Sequence, residues 1–151
     1  MVVRNVVLSA LAVVAAVASL RAHHSFAAEF DANKEVKATG KVTKVEWMNP
    51  HAWFYVAVEE MCEGPAGSGK GNTWKCAKVD GAQKKSEWGF ELASPNGLMR
   101  LGWTRNSLKV GDAVVVEGTR AKDGGPSGNA RSVATSTGQR LFAGSSQGST
   151  P

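Results

Sequence analysis

From Val36 onward, apolar and polar residues alternate in short runs, and no long stretch repeats with the 3.6-residue period of a helix. Val36 to Trp47, VKATGKVTKVEW, predicts a first strand whose alternation changes phase just after Gly40, the mark of a bulge. Asn49-Pro50 makes a turn, and His51 to Glu59, HAWFYVAVE, predicts the second strand. Along it Ala52, Phe54, Val56 and Val58 share the core face; His51, Trp53, Tyr55 and Ala57 share the other. Glu87 to Ala93 is a third strand, with Trp88, Phe90 and Leu92 on one face. Ser94-Pro95 then supplies an N-cap and a first helical residue. Leu98, Met99 and Leu101 are the predicted apolar side of that short helix, and Gly102 its C-terminal cap. Ala113 to Ala121 and Ala130 to Ser136 predict the fourth and fifth strands, with KDGGPSGN as the loop between them. A short last strand falls in GQRLFAG.

Five short strands with one helix between the third and fourth predict an all-β chain, a small five-stranded OB-fold-like barrel. Ligands of such barrels usually meet the outer face of strands two and three, which here carries Trp47, His51, Trp53 and Tyr55. The fold gives a location and leaves the chemistry open.

Before these strands lies a different pattern. Arg4 is followed by an uncharged run from Val6 to Leu20 whose only polar residue type is serine, closing on Ala22. A basic start, a short apolar run and a small residue at its end form a secretory signal peptide, residues 1–22. The run is shorter than the roughly 18 apolar residues of a spanning helix, so no stable membrane anchor is expected after cleavage. The expected organisation is then an N-terminal segment at 23–35, the barrel at 36–143 with an inserted loop at 61–85, and a disordered tail at 144–151. A periplasmic or secreted location follows.

Cleavage after Ala22 removes Arg4 and Arg21 and no acid, leaving 129 residues and lowering the net charge from +5 to +3. So mild a surplus lacks the dense basic stripe of a nucleic-acid binder, and export opposes that partner as well. Cys62 and Cys76 are the only cysteines. In an oxidising compartment such a pair predicts a disulfide with Cα atoms ~5.5 Å apart. The alternative, two thiolate ligands, lacks the tight CxxC spacing of a structural zinc site.

The candidate chemistry is sparse. After cleavage His23 offers its α-amine and imidazole together, and His24 a second imidazole with a deprotonatable amide between them. Nitrogen sets of this kind suit Cu(II) or Ni(II), and His51 completes the set if the N-terminal segment folds back over the barrel. Met48 is a candidate soft ligand for Cu(I), although a methionine beside an aromatic is more often packing. Against the metal stands the plainer alternative of a frayed terminus and a histidine that merely caps a strand. Trp47, Trp53, Trp88 and Trp103 offer a stacking platform for a flat ligand, or simply core packing, and Arg100 and Arg105 flank Gly102-Trp103 as candidate anion contacts. Gly64 to Lys70, GPAGSGK, nearly matches a phosphate-binding loop, but Gly71 stands where its hydroxyl belongs. There is no nucleophile elbow, no free cysteine beside a histidine and no paired carboxylates, so an enzyme is not expected.

The segments AHHSFAAEFD, GKVTKVEWMNPHAWFYVAV, SPNGLMRLGWTRNSLKVGDAVVVEGTRAKDG and RLFAG resemble a family of small bacterial exported proteins, a domain of unknown function (number 6152). The resemblance implies an OB-type barrel behind a signal peptide and no established activity; the insertion carrying Cys62 and Cys76 departs from the family's shorter members. The expected function is non-enzymatic binding in the cell envelope. It is either a transition metal, copper above all, at His23, His24 and His51, or a protein or small ligand on an aromatic face of Trp47, Trp53, Tyr55, Trp103 and Arg105.

Overall fold

The computed structural model describes residues 26–67, 74–79 and 87–143. The predicted signal peptide, His23, His24 and the predicted tail lie outside these residues. Seven strands dominate the described residues: β1 (Phe30–Glu46), β2 (Trp53–Pro65), β3 (Lys75–Lys78), β4 (Glu87–Glu91), β5 (Ala113–Ala121), β6 (Ser127–Thr135) and β7 (Arg140–Phe142). Two short helices, α1 (Phe26–Glu29) and α2 (Pro95–Arg100), complete the regular structure of the described residues.

Five of the strands close on themselves. Hydrogen bonding runs β1-β5-β6-β4-β2 and then from β2 back to β1. All pairings in this ring are antiparallel except β4 with β6, a parallel seam three residue pairs long. β1, β4 and β6 therefore finish, and β2 and β5 begin, at one end of the ring; α2 crosses that end. β3 hangs on the half of β2 away from that end, and β7 on the half of β6 nearer to it.

The inward-facing positions fill the ring. Ala52, Phe54, Val56 and Val58 are buried as the alternation of β2 requires. Val36, Ala38 and Val42 join them from β1, Trp88 and Phe90 from β4, and Val114, Val116 and Val133 from β5 and β6. The phase change after Gly40 is a register shift between Thr39 and Gly40. Glycine is required there: a β-carbon at position 40 would sit 2.1 Å from the Ala57 carbonyl oxygen.

α2 forms as its sequence dictates. Ser94 Oγ accepts the Gly97 N–H at 3.2 Å and Pro95 occupies the first turn. At its other end Gly102, φ 88°, lets its own N–H reach the Met99 carbonyl and the Trp103 N–H reach Leu98, a Schellman closure. Its apolar side is narrower than expected, since Leu98 is buried while Met99 and Leu101 face solvent. This six-residue helix buries only Pro95 and Leu98.

Three expectations are corrected. The 61–85 insertion is not all loop: β2 continues to Pro65 and β3 returns along it, because Val36 to Lys34 on β1 keeps pairing with residues 63–65. The 23–35 segment is not separate, since β1 begins at Phe30, which packs its ring 5.4 Å from that of Phe26. The loop after β5 is shorter than KDGGPSGN, because Ser127 to Asn129 pair with β4, and Gly128 and Asn129 with β5 as well.

Cys62 and Cys76 are direct cross-strand neighbours in β2 and β3 and form a disulfide. Their Cα atoms are 3.9 Å apart, closer than the expected ~5.5 Å. Replacing both cysteines with serine is expected to lower the stability of the fold by up to about 3 kcal/mol, the closure entropy of a loop of this size. Denaturant titration of that variant beside the oxidised protein measures it; equal midpoints would mean that the bridge constrains nothing in the unfolded chain.

Candidate functional site

β2 and β4 lie antiparallel, with Trp53 opposite Glu91 and Tyr55 opposite Gly89. The face they turn outward is where the candidate side chains meet. Gly89 lacks a side chain, so the Tyr55 and Trp53 rings lie down over it; a β-carbon there would be 3.2 Å from the Tyr55 ring and 3.6 Å from Trp53. The Tyr55 hydroxyl donates to Glu46 Oε2 at 3.0 Å, and Lys44 sits 5.1 Å from the ring centre while bonding Glu46. Those two bonds hold the Glu46 carboxyl below the usual carboxylate range, the Lys44 bond contributing most. Burial first, and then the Glu46 charge, raises the Tyr55 hydroxyl above its ordinary value.

His51, at the entrance to β2, places Nδ1 against Glu91 Oε1. The two differ sharply in exposure: the His51 side chain is 33% exposed and that of Glu91 only 4%. Burial pushes the Glu91 carboxyl above the usual carboxylate range, opposed by the His51 charge and reinforced by Glu29 of α1. Asn129, register partner of Glu91 across the parallel seam, is buried beside it, and its side-chain amide slightly favours the ionised carboxyl. The approach stops short of hydrogen-bond geometry, because Glu91 Oε2 and Asn129 Nδ2 both lack a hydrogen-bond partner among the described residues.

This contact assigns the two imidazole nitrogens. When the imidazole is neutral, a carboxylate accepting from Nδ1 holds it in the tautomer whose Nε2 lone pair is free, with the ring's orientation set from below. That is how proteins mount a histidine that must offer Nε2 to something else.

Beside the pair lies a cavity of about 320 Å³ between α1, β2 and the β5–β6 connection. Trp53 forms one wall, Glu29 and Phe30 another, and Lys122, Asp123 and Ser127 close it. The Lys122 backbone N–H donates to the Glu29 carbonyl at 2.9 Å, so α1 is stitched to this loop. The described chain therefore starts over the same face that carries His51.

Trp103 does not belong to this face. It is 3% exposed, packs in the core, and donates its Nε1 hydrogen to the Phe142 carbonyl at 2.9 Å. The Schellman turn after α2 points it inward. Trp47 is half-buried against the core edge, and Arg105 is exposed in the turn that follows Trp103, at the α2 end of the ring. Trp53 and Tyr55 are thus the aromatic members that the fold does bring together. The glycine-rich stretch 64–71 leads into strand β3, where a phosphate loop would open a helix. Glu60 has its carboxylate close to both cysteine sulfurs, but those sulfurs are spent on the disulfide.

Sequence reasoning passed over Glu91, Glu29 and Asn129. Glu91 stood among scattered carboxylates, and only the β2–β4 register puts it next to His51. The outward phase of EWGFE was its one available signal.

The family model described as "Family of unknown function (DUF6152)" matches residues 10–76 and 72–130. The chain belongs to that family. The two matched segments meet at residues 72–76, at the threshold of β3 and its cysteine. No curated protein and no solved structure matches the chain.

Proposed function

We propose that this member of the family is an exported, non-enzymatic binding protein, an OB-type barrel that takes a transition metal, copper, through His51 and the processed N-terminal residues His23 and His24. The observation that carries this reading is the His51–Glu91 contact: a half-exposed imidazole held from below by a buried carboxylate, its Nε2 left for a ligand. The barrel assignment is supported by the ring order and by the single parallel pairing of third and fifth ring strands. Support for the terminal ligands comes from α1. His24 and His23 precede Phe26 by two and three residues, a reach of about 7–11 Å, and α1 sits over the face of His51. Met48, exposed three residues before His51, is available as a soft ligand for Cu(I).

Processing activates such a site. In the precursor the His23 nitrogen is an amide and cannot coordinate as an amine. Affinity weakens as the pH falls below roughly 6.5, where free imidazole takes up a proton. Titration of Cu(II) into protein beginning at His23 tests the reading. An N-terminal extension and His51→Ala are each expected to weaken binding by at least about tenfold. If both bind like the native form, or the native form does not bind, the metal reading fails. The aromatic face of Trp53 and Tyr55, with the cavity beside it, then becomes the better reading.

A further inference from the structure

The α2 end of the ring carries a second surface, independent of the histidines. Met99 and Leu101 on α2, Val110 in the turn before β5 and Phe142 on β7 are 53%, 49%, 70% and 62% exposed. They are large apolar side chains, and they are held outward by well-formed backbone: the Schellman closure at Gly102, the Gly111 N–H to the Val42 carbonyl at 2.8 Å, and the Trp103 bond to the Phe142 carbonyl. Fixed outward display of several apolar groups on one end of a domain marks a contact surface.

The unpaired cations around them outnumber the anions. Arg100, Arg105 and Lys109 stand between these apolar residues in sequence and make no ion pair among the described residues. Of the acids nearby, Glu117 pairs with Arg140 and Glu46 with Lys44, while Asp112 Oδ2 accepts the Lys109 backbone N–H at 2.8 Å and keeps its negative charge. Arg140 also lies 5.9 Å above the Phe142 ring, a cation riding on an apolar group. The surface left over is apolar and cationic.

We propose that this end of the protein docks peripherally on an anionic phospholipid surface, Met99, Leu101, Val110 and Phe142 entering the headgroup boundary while Arg100, Arg105 and Lys109 meet lipid phosphates. Charge complementarity favours this occupant over a protein. Exposed apolar side chains interspersed with unpaired cations suit a flat, deformable, negatively charged partner. Each basic residue near such a surface is worth roughly fivefold in partitioning at low salt.

The test is vesicle co-sedimentation of the chain beginning at His23, which keeps every described element and removes the Val6–Leu20 run that would itself partition into lipid. Vesicles of phosphatidylglycerol mixed with phosphatidylcholine are compared with phosphatidylcholine alone. Binding is expected to the anionic vesicles only and to fall steeply with added salt. Arg100→Glu with Arg105→Glu is expected to reduce it more than about tenfold. Met99→Ser with Phe142→Ser should reduce it while leaving the circular dichroism spectrum and Cu(II) titration unchanged, because both side chains are already in solvent. Absence of binding to anionic vesicles, equal binding to both vesicle types, or binding that survives both double variants would overturn the proposal.

Discussion

Glu91→Gln is expected to weaken Cu(II) binding by about 10–100-fold without costing the fold stability. The two effects separate because the carboxyl is buried under the outer face while its partner His51 is half-exposed. Removing one partner of a buried ion pair usually strands the other charge, but the His51 side chain is 33% exposed to solvent and keeps its contact with the amide oxygen. What the glutamine loses is the negative charge that aligns the imidazole and makes Nε2 a better donor. What it gains is relief from desolvation, the chief reason that the Glu91 carboxyl stands above its ordinary range. The sign of the pH dependence follows. A carboxyl whose folded value exceeds its unfolded one binds its proton more tightly in the fold. Its contribution to stability is therefore greatest in acid and declines as the pH rises through the interval between the two values. The glutamine variant should lack that decline. Isothermal titration with Cu(II) beside thermal melts from pH 4 to pH 8 measures both. A variant that binds copper normally would show that Glu91 merely fills space, and one that fails to fold would show that its charge holds the seam together.

Phe90→Ala is expected to cost about 3–5 kcal/mol, a large share of the roughly 5–15 kcal/mol that separates a domain of this size from its unfolded state. Phe90 is fully buried, stacked 5.6 Å from Phe54 and 6.2 Å from Trp88. It is also the middle residue of the three-pair parallel seam that closes the ring, set opposite Gly128, where a β-carbon would stand 3.4 Å from its ring. Truncation leaves a cavity at the point where fewest backbone bonds hold adjacent strands. A urea titration reads the loss as a lower midpoint at an unchanged slope. A shift worth less than about 1 kcal/mol would mean that the seam collapses around the gap and that the ring is closed by other contacts.

Local pattern made much of this molecule legible before any coordinates. Period-two alternation marks β2 and β4 and picks out their core faces, because a strand half-buried in a closed ring must alternate. Ser94-Pro95 and Gly102 bound α2 because capping chemistry is local to a few residues. Gly40 announces the bulge, since only a residue without a β-carbon tolerates the Ala57 carbonyl so near. The cysteine pair speaks for itself once an oxidising compartment is inferred. Even the two rings that share the outer face, Trp53 and Tyr55, follow from strand phase alone.

Tertiary structure decided the rest, wherever the outcome depends on which strands become neighbours. The continuation of β2 and the pairing of β3 arise because an open strand edge recruits whatever sequence returns beside it, and Lys75–Lys78 carries little alternation to announce this. Trp103 looked like a surface aromatic, yet the turn after α2 sends it into the core, where its indole N–H finds the Phe142 carbonyl. Glu91 became the partner of His51 only through the β2–β4 register, and it was buried only when α1, Trp53 and Asn129 closed around it. Pairing between distant strands is a property of the closed ring as a whole. No window of a few residues contains it.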